Sequence, residues 1–151
     1  MTMHAQGLLS RRSFTAGALA LVACPARAVD LTSDVAAAVD RILAGRKAAG
    51  SGIRLTAPET AENGAQVPVT LGVEGAMTRE RHVTALHLVA TRNPTPGVAS
   101  FELSPASGTA AVTTRIRLAE GQQLLAFAEW SDGTVWSTSV DVKVSVGGCL
   151  T

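Results

Sequence analysis

The chain ends Gly147-Gly148-Cys149-Leu150-Thr151, directly after the β-branched alternation Val140, Val142, Val144, Val146. Two successive glycines release the backbone from any fixed dihedral well, and chain ends are loosely held. At about 3.3 Å per extended residue, three residues past Val146 carry the sulfur roughly 10 Å from the body that holds the strand. A thiolate is both a nucleophile and a leaving group, so a thiol on such an arm can accept and release a sulfur-containing group covalently. Catalysis would also need a base and donors for developing charge, and the arm supplies neither. With an unperturbed pKa of about 8.5, only a few per cent is thiolate at neutral pH, so activation falls to a partner's pocket. The pattern points to a covalent carrier and not an enzyme. The same thiol could instead form an interchain disulfide with a partner.

Other candidates carry less chemistry. His82 and His87 are expected in one strand on opposite faces, where they cannot share a metal ion. No CxxC, HExxH, GxSxG, phosphate loop or dinucleotide fingerprint occurs, and neither cofactor nor metal is expected. Arg115 and Arg117 share a strand face and read as solvated charge, with an anion or a partner's carboxylates as the alternative. Trp130 and Trp136 flank Asp132-Gly133 and read as hairpin or core packing.

The N-terminus reads as an address. Ser10-Arg11-Arg12-Ser13-Phe14 precedes the uncharged run Thr15 to Ala23 and the small-x-small site Ala26-Arg27-Ala28, so residues 1–28 are expected to be a twin-arginine signal peptide. The apolar run is about 10 residues, where a membrane span needs roughly 20. Leu21-Val22-Ala23-Cys24 also fits the pattern at which bacterial lipoproteins are cut and acylated, which would tether the protein through Cys24. Cleavage after Ala28 is favoured, because Pro25 follows Cys24 directly; the product is expected in the periplasm. The cut would remove 28 of 151 residues, Cys24 and three of the 13 basic side chains, leaving Cys149 as the one cysteine and 10 bases against 12 acids. That balance offers no basic field for nucleic acid, and no membrane contact is expected unless Cys24 is lipidated.

The elements that must position the thiol follow from periodicity. Residues 29–50 are expected to hold one short amphipathic helix, with Val35, Val39, Ile42 and Leu43 on one stripe, a cap at Thr32 or Ser33 and a stop at Gly45 or Gly50. From residue 51 to 146 the apolar period becomes two, as in Val67, Val69, Leu71 and Val73. Turn chemistry at Ala61-Glu62-Asn63-Gly64, Asn93-Pro94-Thr95-Pro96-Gly97, Ser104-Pro105, Ala119-Glu120-Gly121 and Ser131-Asp132-Gly133 separates the runs. About seven short strands in some 100 residues predict an all-β, immunoglobulin-like antiparallel sandwich. Residues 147–151 form the arm.

Ala61 to Val69, the Asn93-Pro94-Thr95-Pro96 loop, Thr114 to Ala119, Asp132-Gly133 and the Gly147-Gly148-Cys149 ending together resemble the SoxY family, the sulfur-carrier subunits of SoxYZ complexes. The resemblance covers essentially the whole mature chain. It implies an immunoglobulin-like periplasmic protein in a heterodimer with a SoxZ-like subunit. It also implies that Cys149 bears intermediates of thiosulfate oxidation and enters other Sox enzymes transiently, with Gly147 and Gly148 as hinge. The arm of that family commonly ends in two further glycines, where this chain has Leu150 and Thr151.

Overall fold

The computed structural model describes residues 32–49, 52–75 and 77–147. Helix α1 (Ser33–Leu43) comes first, followed by nine strands in the described residues: β1 (Ala48–Ala49), β2 (Ile53–Thr56), β3 (Thr60–Asn63), β4 (Val67–Val73), β5 (Val83–Ala90), β6 (Gly97–Glu102), β7 (Ala110–Ile116), β8 (Gln122–Trp130) and β9 (Val135–Val146). A single 3-10 turn, Pro105–Ser107, connects β6 to β7.

Alternation along each strand sorts side chains between two sheets. The smaller sheet runs β2-β4-β7 and is antiparallel throughout. The larger runs β1-β9-β8-β5-β6, with β3 also paired to β9. Val67, Val69 and Leu71 of the smaller sheet meet Leu86, Leu88, Leu124 and Ala126 of the larger in one core, each at most 1% exposed. The β8–β9 hairpin closes at Asp132-Gly133, where Gly133 has φ 83° and Thr134 N donates to Asp132 Oδ1 at 2.9 Å. That left-handed position is why the turn requires glycine.

The larger sheet is also apolar on its outer face, where Val89, Phe127 and Val135 are buried against Val35 of α1, with Val39, Ile42 and Leu43 packed around them. The predicted stripe is therefore the buried face of the helix. The helix stops at the earlier of the two expected glycines: Thr32 occupies the N-cap without a side-chain hydrogen bond, and Ala44 ends it at φ 48°, just before Gly45 at φ 79°. Beyond that stop, Ala48 and Ala49 leave the helix to pair with Val135 and Trp136.

Two strands depart from the sequence expectation. Thr60–Asn63 overlaps the segment read as a turn and instead forms β3, while β1 lies inside the expected helical region. Both pair parallel to β9, so the sandwich is antiparallel except along that strand. At 12 residues β9 has room for both: β1 pairs with its first two residues, on the edge away from β8, and β3 pairs with 143–146, past the last residue that β8 reaches, Val142.

Candidate functional site

The described residues end where the expected arm begins. Val146, the last residue of β9, is 65% exposed, and Gly147 beyond it is exposed too. Gly148, Cys149, Leu150 and Thr151 lie outside the described residues, as does the expected signal, 1–28. What the structure places is the end of β9 and Gly147, the root from which the expected arm would start.

Three segments converge on that root. β3 runs parallel beside the end of β9, with Ala61 opposite Val144 and Asn63 opposite Val146. Gly64 N donates to Val146 O at 2.7 Å, and Leu118 N donates to Gly64 O at 2.8 Å. Gly64 thus bridges the last strand residue to the segment after β7. The Asn63 side chain tightens this corner by accepting from Ala65 N at 2.8 Å. Next along, the Ala119 carbonyl oxygen lies against Gly147, so close that a Cβ built on Gly147 would overlap it. Gly147 therefore serves close backbone approach, which a side chain would prevent.

The 117–121 segment is held from beneath by two buried amides. Asn93 Nδ2 donates to Arg117 O at 2.9 Å, and Asn93 Oδ1 accepts from Ala119 N at 3.0 Å and from Gln122 Nε2 at 2.9 Å. Gln122 Nε2 also donates to Glu120 O at 3.0 Å, while Gln122 Oε1 accepts from Arg92 N at 2.7 Å. Asn93 and Gln122 are 7% and 6% exposed, and every polar atom of the two amides is paired. Satisfied buried networks of this kind define one backbone arrangement, since each lost partner would strand a dry polar group. Asn93 was legible only as a turn residue. Gln122 carried a stronger signal, because it begins the inward series Gln122, Leu124, Ala126, Ala128.

The remaining candidates go elsewhere. His82 sits one residue before β5, with Nδ1 3.1 Å from Thr78 O. His87 lies beneath α1, its Nε2 2.9 Å from Glu129 Oε1 and its Nδ1 2.8 Å from Ser100 Oγ. Arg46, just past the helix, pairs with the other oxygen of Glu129 and also donates to the carbonyls of Ile42 and Leu43. This ion network, invisible in the sequence because Arg46 and Glu129 are 83 residues apart, locks the helix end onto the sheet. Arg115 and Arg117 line an open cleft of about 560 Å³ between the free edges of β6 and β7. Trp130 and Trp136 meet edge to face at 4.7 Å, with the Arg81 guanidinium 3.8 Å above Trp130. Among the described residues no group of three or more His, Cys, Asp or Glu side chains could hold a metal ion, and no helix is long and apolar enough to cross a membrane.

Comparison with known proteins bears on the whole arrangement. No curated protein matches the chain. Among solved structures, the sulfur carrier protein SoxY from Chlorobium limicola f thiosulfatophilum is similar at 27% identity and a TM-score of 0.59, over 76% of this chain and 98% of that one. The superoxide reductase (neelaredoxin) from Ignicoccus hospitalis aligns at 16% identity and a TM-score of 0.54, over 62% of this chain and 80% of that one. At that identity the likeness concerns the sandwich alone. The family model for the sulfur oxidation protein SoxY matches residues 39–149, from inside α1 to Cys149. The chain belongs to the SoxY family.

Proposed function

We propose that this SoxY protein is an exported carrier whose Cys149 thiol holds sulfur-oxidation intermediates covalently and presents them to partner enzymes. The observation that carries the reading is the position of the thiol. The body of the domain is complete at Val146, and the family match runs three residues further, to the one cysteine that survives signal cleavage. The fold supplies a packed body whose last described strand leads toward that thiol. Reactivity comes from the thiol and from the enzymes that receive it.

Two balanced steps are open to such a thiol. In exchange, the Cys149 thiolate attacks a sulfur–sulfur bond, forms a new one and expels the leaving sulfur as a thiolate, with no net redox change. In conjugation with an anion such as thiosulfate, a sulfur–sulfur bond forms between thiolate and anion, and two electrons pass to an electron-accepting redox enzyme. The chain contributes the nucleophile alone, so it acts as a substrate-bearing subunit and not as an enzyme.

The twin-arginine signal ending at Ala28 supports a periplasmic site of action, and family membership supports a heterodimer with a SoxZ-like subunit. Leu150 carries bulk where the tip of the family's arm commonly has glycine, so Leu150→Gly is expected to raise transfer rates with enzymes that take the arm into a channel.

The decisive experiment is intact-mass analysis of the mature chain, with its SoxZ-like subunit, after incubation with thiosulfate and Sox enzymes. A reductant-sensitive mass increase on the C-terminal peptide, absent from Cys149→Ser, is the expected result. If wild type acquires no adduct, or Cys149→Ser sustains sulfur oxidation, the carrier reading fails. The same spectrum dates the N-terminus and reports any lipid on Cys24.

A further inference from the structure

We propose that Gly147, Ala119 and the buried Asn93–Gln122 pair form a seat that sets the direction in which the arm leaves the sandwich, which makes Asn93 and Gln122 positioning residues for Cys149. The proposal rests on the carrier reading, since direction matters only if the thiol has destinations.

Contacts at the root are of a kind that orients a chain. Gly64 N holds the Val146 carbonyl and Leu118 N holds Gly64, so the last strand residue is tied through one glycine to the 117–121 segment. One residue on, the Ala119 carbonyl occupies the space where a side chain on Gly147 would be. Ala119 cannot give way easily, because its own N–H donates to Asn93 Oδ1 and the flanking carbonyls of Arg117 and Glu120 accept from Asn93 and Gln122. Rearranging the segment would strand several buried polar groups at once. Gly147 is thus backed by fixed backbone on one side and open to solvent on the other. The chain leaves the sandwich from a defined point and heading.

A glycine pair read purely as a loose joint leads to a different expectation. On that reading alanine at either position would stiffen the arm alike. With a seat, Gly147→Ala, whose Cβ meets the Ala119 carbonyl, forces the root off Ala119 and redirects the arm.

The test uses the mature chain in complex with its SoxZ-like subunit, with a nitroxide spin label on Cys149 and amide NMR signals read for paramagnetic broadening. In wild type, broadening should concentrate on residues near the exit, around 64 and 118–121. In Gly147→Ala it should fall by at least half there and appear elsewhere, while the melting temperature and the rate of alkylation by iodoacetamide stay as in wild type. Gln122→Ala, which removes the donor shared by Glu120 O and Asn93 Oδ1, should shift the pattern in the same direction. An unchanged pattern in folded Gly147→Ala overturns the seat, and Gly147→Ala decides alone if Gln122→Ala does not fold. Failure of wild type to acquire a sulfur adduct would sink the carrier reading and leave this pattern unaffected, so the two failures are distinguishable.

Discussion

Asp132 shows how much one exposed side chain can organise. Its carboxylate is held down to a pKa of about 2, first by hydrogen bonds from the side chain and backbone of Thr134 and then by the Arg81 guanidinium. Arg81 in turn lies over the Trp130 ring, so the carboxylate fixes the cation that caps the tryptophan pair. The folded pKa lies below the ordinary value of 3.8, so this stabilisation is fully present above that value and is lost as pH falls through about 2. Tryptophan emission should therefore change over that acid window in wild type and not in Asp132→Asn. Identical titrations would show that the carboxylate does not control the stack.

At the scale of elements, the Arg46–Glu129–His87 cluster adds to the apolar packing of Ile42 and Leu43 in attaching the C-terminal end of α1. Burial disfavours the charge of Glu129, but hydrogen bonds from Arg46 and His87, and their charges, outweigh it and keep the carboxyl below its ordinary value of 4.5. Glu129 therefore stabilises the fold above 4.5, and that contribution is lost as pH falls through its lower folded value. Glu129→Ala leaves Arg46 and His87 facing each other beneath the helix, with an expected cost of about 1–2 kcal/mol. Urea titration should show that loss at neutral pH, and hydrogen exchange should place the faster amides in α1. Full protection of α1 in the variant would mean that the apolar stripe of Val35, Val39 and Ile42 suffices. The stripe and its period were legible in the sequence; the partner charge on β8 was not, because nothing local to residue 46 refers to residue 129.

For the whole molecule, stability and the proposed carrier role reside in different places. The core is shared by both sheets and draws on strands from β2 to β9, so Leu124→Ala, at a position with no exposure, should cost about 2–5 kcal/mol. Thermal or urea unfolding measures it, and a loss under about 1 kcal/mol would mean that the two sheets close the cavity. Deleting residues 148–151 should leave the unfolding midpoint where it is while abolishing any sulfur adduct, because the described core is complete without them. A truncated chain that unfolds markedly earlier would assign the terminus a packing role.

Local rules account for what the sequence alone determined. Alternating apolar residues define β4, β7, β8 and β9, Asp132-Gly133 defines their last hairpin, and the Val35 stripe defines the helix, because each depends on neighbours within a few positions. The lone cysteine of the expected mature chain was equally plain from its place in the sequence. Only the tertiary structure decided that Ala48–Ala49 and Thr60–Asn63 add parallel to β9, since pairing partners 80 or so residues apart leave no local trace. It alone also decided that Gly147 meets a fixed carbonyl, because that contact exists only once Asn93 and Gln122 have folded the 117–121 segment against the end of the last strand.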